Sequence, residues 1–163
     1  MKKLFLIALS FLFLGAYATT LKAGVQETYI PDGFFGSWGV ISKLKNSNNP
    51  SLFNRESRDI WVLSGYGNTL ILENLKSGAH SQIQIKEKNK DGKTLKFERI
   101  KKITENDEKV VYREIVSFVL NGNNFSGTDN YIVEKYDKTN VLKEKNEANY
   151  VIEGVKISGT KPN

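Results

Sequence analysis

Between Gly65 and Asn140 the chain is interrupted at short, even intervals by clusters of turn-forming residues, and no other feature limits its folding options as strongly. They fall at Gly65-Tyr66-Gly67-Asn68, Lys76-Ser77-Gly78, Asn89-Lys90-Asp91-Gly92, Glu105-Asn106-Asp107, Asn121-Gly122-Asn123-Asn124 and Asp137-Lys138-Thr139-Asn140. These residue types tolerate positive φ or cap tight turns. The intervening runs, such as "DIWVLS", "TLILENL", "KVVYREIVSFVL" and "NYVIEGVKI", are rich in β-branched and aromatic residues and read as strands. No amphipathic helix is expected beyond a single turn within residues 47 to 57.

Alternation assigns faces to several of these runs. Leu70 with Leu72, Ile83 with Ile85, and Leu95 with Phe97 each share one side, while Gln82, Gln84, Lys96 and Glu98 take the other. In the long run from Lys109 to Leu120, the face Val110, Tyr112, Glu114, Val116, Phe118, Leu120 is apolar except at Glu114. Ile100 falls out of phase with Leu95 and Phe97, which predicts a β-bulge or bend near Glu98 to Ile100. Short turns between consecutive strands make an antiparallel meander, because a parallel crossover needs a much longer connection. Counting the segment after Trp38 there are about eight strands, a number that commonly removes its exposed edges by closing into an up-and-down barrel. The fold class is therefore all-β, a small barrel, with a β-sandwich as the alternative. An outer-membrane barrel needs a continuous lipid-facing apolar band, and "KTLKFERIKKI" and "SQIQIKEK" carry too much charge for one.

The start of the chain belongs to export rather than to the fold. Lys2 and Lys3 precede an apolar run from Leu4 to Leu14, and Ala16-Tyr17-Ala18 forms a small-x-small cleavage signal. The run is shorter than the ~20 residues of a membrane-spanning helix, and nothing later approaches that length. The expected organisation is a cleaved signal peptide over 1–18, a lead-in segment over 19–36 and a single barrel domain over 37–160. The destination is periplasmic or extracellular. With no cysteine in the sequence, neither a lipid-modified cysteine nor a disulfide framework is available.

"GFFGSWGVIS" at 33–42 brings in a family. Gly36-Ser37-Trp38 resembles the Gly-x-Trp motif on the first strand of lipocalins, preceded as there by aromatic residues. Thr128-Asp129-Asn130-Tyr131 is similar to that family's Thr-Asp-Tyr turn, with Asn130 as an extra residue. The family's arginine over the tryptophan has no counterpart, since Arg113 is the last arginine and only lysines follow, which lack its planar stacking. The resemblance implies a lipocalin-like (calycin-type) barrel with Trp38 as a structural residue packed across its closed end.

Other chemistries are poorly supplied. Lysine and arginine number 24 against 18 acids, but they are interspersed with the acids, as in "KEKNKDGK", so no basic stripe for nucleic acid is expected. The single histidine, His80, sits beside a turn with no nucleophile motif, and His/Cys metal sites fail by count. No enzyme activity, catalytic residue, metal or cofactor is expected. The expected role is binding a small apolar or amphipathic molecule inside the barrel. The alternative is a cell-envelope structural or interaction protein with a filled core and no ligand. Aromatic rings give large contact area at little rotamer cost, so Trp61, Phe97, Tyr112, Phe118 and Tyr131 are the candidate ligand-binding residues. The order of charged start, apolar run and small-x-small site predicts cleavage after Ala18, with Ala23 as a second end. N-terminal sequencing of the exported protein reads this directly, and an intact Met1 would refute it.

Overall fold

The computed structural model describes residues 29–85, 91–105 and 108–159. The expected signal peptide over 1–18, with its expected cleavage point, and the first part of the expected lead-in lie outside the described residues, as do the turn residues Asn89, Lys90, Asn106 and Asp107. A 3-10 helix at Asp32–Phe34 precedes eight strands: β1 (Gly36–Ser47), β2 (Glu56–Tyr66), β3 (Thr69–Asn74), β4 (Ala79–Gln84), β5 (Thr94–Glu105), β6 (Glu108–Asn121), β7 (Asn124–Tyr136) and β8 (Leu142–Ser158). They form one sheet in the order β4-β3-β2-β1-β8-β7-β6-β5, antiparallel throughout. Pairing β1 with β8 curls the meander into a nearly closed barrel, so the sandwich alternative falls. The remaining gap separates β4 from β5, and the Arg99 guanidinium crosses it by donating from Nη1 to Ser81 Oγ at 3.1 Å.

The local chemistry explains the hairpins. β2–β3 and β6–β7 are joined by the two-residue loops Gly67-Asn68 and Gly122-Asn123, with Gly67 at φ 59° and Gly122 at φ 60°. Positive φ at the first loop residue belongs to a turn whose twist matches the flanking strands, and glycine adopts it without steric cost. Alternation then sorts the side chains as the sequence indicates. Leu70, Leu72, Ile83, Ile85, Leu95 and Phe97 are all buried, and Lys96, Glu98 and Lys102 are exposed on the outside.

Three expectations need correction. The β-bulge near Glu98 to Ile100 is absent: β5 pairs with β6 in unbroken register from Thr94 to Glu105, and Ile100 simply points outward, 48% exposed. Register shifts occur instead on β1 against β8, between Ser37 and Trp38 and between Leu44 and Asn46, and beside Tyr136 on β7. The helical turn within 47 to 57 is an irregular connection, with Leu52 N donating to Asn49 O at 3.1 Å. Thr128 to Tyr131 form no turn. They lie inside β7, because the β6–β7 reversal is already complete at Gly122-Asn123 and alternation continues through Tyr136.

The lower end of the barrel is packed solid. Ile30, Phe34 and Phe35 of the lead-in fold under it and are buried with Trp38. Trp38 Nε1 donates to Phe34 O at 2.8 Å, which satisfies the one polar atom of the indole. Its ring contacts Phe125 at 5.0 Å between centroids, and Phe125 stacks on Phe118 at 4.6 Å. Gly154 makes room for this, since a Cβ there would collide with the Phe125 ring. Lys156 of β8 lies with Nζ 5.2 Å from the Trp38 ring centroid and donates to Gly33 O at 2.9 Å. A lysine point charge thus covers the ring face and ties down the lead-in at once. Trp38→Ala removes a fully buried side chain and leaves a cavity, and is expected to cost about 3–5 kcal/mol. A denaturant midpoint close to that of the parent protein would contradict this placement.

Candidate functional site

Above the aromatic floor the inward positions change character. Trp61 of β2 and Leu72 of β3 still present apolar surface, but the next inward residues are Ser42, Ser57, Asp59, Asn74, Arg99, Glu114 and Asp129. They surround a cavity of about 360 Å³ that is partly open to solvent, within the range of small-molecule sites. Its roof is the β1–β2 connection, whose Phe53 is buried against Val133 and Ala148 and meets Tyr131 edge-on at 6.1 Å. Asn48 and Asn49 fasten this roof to β8: Asn48 Nδ2 donates to Lys145 O at 3.0 Å, Glu147 N donates to Asn48 Oδ1 at 2.8 Å, and Asn49 Nδ2 donates to Asn146 Oδ1 at 3.1 Å.

Strand register brings the charged members together. Arg99 on β5 lies directly opposite Glu114 on β6, and its Nε and Nη2 both engage Glu114 Oε2. Glu114 faces Tyr131 on β7, which places Asp129, two residues earlier on the same inward face, diagonally beside it. Tyr150 of β8 pairs across from Asp129. Glu114 is 8% exposed and Asp129 9%. Asp129 Oδ1 is buried without a hydrogen-bond partner. Burial foremost, and then the neighbouring Glu114 carboxylate, push the Asp129 carboxyl up to about 8, with Arg99 opposing. Asp129 therefore keeps its proton at neutral pH, beside the Glu114 side chain that Arg99 engages. Tyr131 and Tyr150 are raised as well, chiefly by burial. Asp59 has its own donors, Ser57 Oγ at 3.0 Å and Asn74 Nδ2 at 3.1 Å.

A second, larger recess of about 830 Å³ lies along the β4–β5 gap, with Ser81, Ile83, Lys101 and Tyr112 among its walls. It shares Ala79, Arg99, Glu114 and Tyr131 with the interior cavity. The two spaces meet at the Arg99–Glu114 pair.

Of the aromatic candidates, Trp61 and Tyr131 line the interior cavity, and Tyr112 and Tyr131 line the lateral recess. Phe97 and Phe118 do not reach either. They pack edge-to-face at 6.1 Å in the lower core. His80 is exposed on β4 beside Glu73, with Nδ1 3.3 Å from Oε1. Among the described residues no group of three or more His, Cys, Asp or Glu side chains is placed to hold a metal ion, and no helix is long and apolar enough to cross a membrane. The sequence reading missed Arg99, Glu114 and Asp129. Their signal was parity: Arg99 is in phase with Leu95 and Phe97, and Glu114 is the one polar residue on an otherwise apolar face. No family model matches the chain, and neither a curated protein nor a solved structure matches it.

The buried carboxyl makes a stability prediction. Asp129 holds its proton to about 8 in the folded chain, against an ordinary value of 3.8. The folded state thus binds more protons than the unfolded one across that window, and stability falls as pH rises through it. Asp129→Asn keeps the shape and removes the ionisation. It should raise stability at pH 8 by about 1–3 kcal/mol and by clearly less at pH 5, as read from denaturant midpoints. An equal effect at both pH values would contradict the raised carboxyl.

Proposed function

We propose that this is an exported, non-enzymatic, lipocalin-like binding protein that carries a small amphipathic molecule inside the barrel. One observation carries the reading: between a solid aromatic floor and the Phe53 roof, the barrel is left unfilled over a belt that is apolar at Trp61 and Leu72 and polar at Glu114, Asp129 and Tyr150. A chain needing only stability gains more by filling such a space with apolar side chains. The mixed lining favours the amphipathic member of the expected ligand class over a wholly apolar one. The lateral recess offers the route in, because the β4–β5 gap is spanned by side chains and not by a backbone ladder. Loosening Arg99 from Ser81 opens a path without breaking the sheet. Location in the periplasm or medium follows from the leader and belongs to the same proposal.

The test is binding of a neutral environment-sensitive dye, N-phenyl-1-naphthylamine, to the folded mature protein. Saturable binding at one site is expected. Ser42, buried and lining the cavity, gives the control: Ser42→Leu places apolar bulk in the space and should weaken binding at least about tenfold while the fold is retained. No saturable binding by a demonstrably native protein would favour the filled-core envelope protein instead.

A further inference from the structure

We infer that the cavity selects a ligand whose polar head is a protonated amine, seated against Asp129 with its apolar part toward Trp61 and Leu72. The inference rests on the binding role proposed above and specifies the chemistry of its ligand. The first observation is the sign of the wall. The acidic residues lining the cavity are Asp59, Glu114 and Asp129, against Arg99 as the single basic one, inside a chain whose net charge is +6. The acid is thus concentrated inside, against the overall balance. The second observation is which of these groups is left over. Arg99 is committed to Glu114 and to Ser81, and Asp59 to Ser57 and Asn74. Asp129 Oδ1 is a buried acceptor with no donor. An acceptor out of water is costly until a donor reaches it, and a charged donor compensates most.

The alternatives fit less well. An anionic head would meet Glu114 and Asp129 with only Arg99 to offset them, and that guanidinium is already engaged. A hydroxyl head can donate to Oδ1 but brings no charge to balance the acidic wall. An ammonium does both, and it exchanges its charge for the proton that Asp129 carries. That proton leaves to solvent as the carboxylate forms beside the ammonium. The groups facing Asp129 are Glu114 of β6, Arg99 of β5, Tyr131 of its own strand and Tyr150 of β8, with Asp59 of β2 on the same cavity wall. Binding coupled to release of one proton strengthens with rising pH, by at most about tenfold per pH unit, until Asp129 is ionised in the free protein.

The experiment compares n-octylamine, n-octanol and octanoate by calorimetric titration of the mature protein at pH 6 and pH 8, with Asp129→Asn beside the parent. Octylamine is expected to bind at least about tenfold tighter than octanol, with octanoate weakest, and to tighten by about tenfold or more from pH 6 to pH 8. In Asp129→Asn the preference for the amine and its pH dependence should vanish while octanol binding persists. Octanol or octanoate binding as tightly as octylamine, or an amine preference that survives Asp129→Asn, overturns the inference and leaves the binding role standing. Failure of all three probes to bind the native protein overturns both.

Discussion

The ladder between β1 and β8 is the constraint on which the rest depends. The sheet order divides the chain into two meanders, β1 to β4 and β5 to β8, and among the described residues β1 with β8 is the only strand pairing that joins them. It runs from Ser37 opposite Ser158 to Ser47 opposite Ala148, so the fold is held by contacts between strands far apart in sequence. Such pairings form late and at a high loop-closure cost. The lead-in reinforces this seam: Lys156 of β8 reaches both the Trp38 ring and the Gly33 carbonyl, binding the start of the barrel to its end. The opposite seam, β4 against β5, is held by side chains. Closure is therefore strong on one side and weak on the other.

That asymmetry divides the interior into parts with different tasks. The lower half gains stability from rings stacked at van der Waals distance around Trp38, Phe118 and Phe125. The upper half gives some of that stability up. Burying two carboxyls beside a half-buried guanidinium is costly, and even a well-made pair such as Arg99 with Glu114 roughly offsets its own desolvation. Asp129, with Oδ1 lacking a donor, lies on the unfavourable side of that balance. Local violations of packing rules of this kind mark functional positions more often than structural ones. Here the violation sits where the interior cavity and the lateral recess meet.

Strands and hairpins were legible because the turn residues are explicit and the apolar alternation is clean. Leu95 and Phe97 announce an inward face without any knowledge of their partners, and Trp38 reads as a plug from its aromatic neighbours. The polar belt was hidden for a physical reason. An arginine or glutamate at an inward position of an amphipathic strand has the same local pattern as a surface charge near a strand end. Only the cross-strand register, with Arg99 opposite Glu114 and Asp129 diagonal to it, reveals that three strands aim their charges at one point. Asp129 was further masked because its neighbours resemble a turn, whereas the reversal lies upstream at Gly122-Asn123. Lys156 had no distinguishing signal among the other lysines of the last strands. Its role follows from the β1–β8 register alone.

The upper half of the barrel turns on one group, the Asp129 carboxyl, which burial and the neighbouring Glu114 hold protonated at neutral pH against the cavity. The most direct measurement is a carbon-13 NMR titration of the side-chain carboxyl of Asp129 in the ligand-free protein, with Asp129→Asn used to assign the signal. This carboxyl is expected to ionise near pH 8, far above its ordinary value of 3.8. A single ionisation near 4 would mean that Asp129 is solvated or fully paired, and would contradict it.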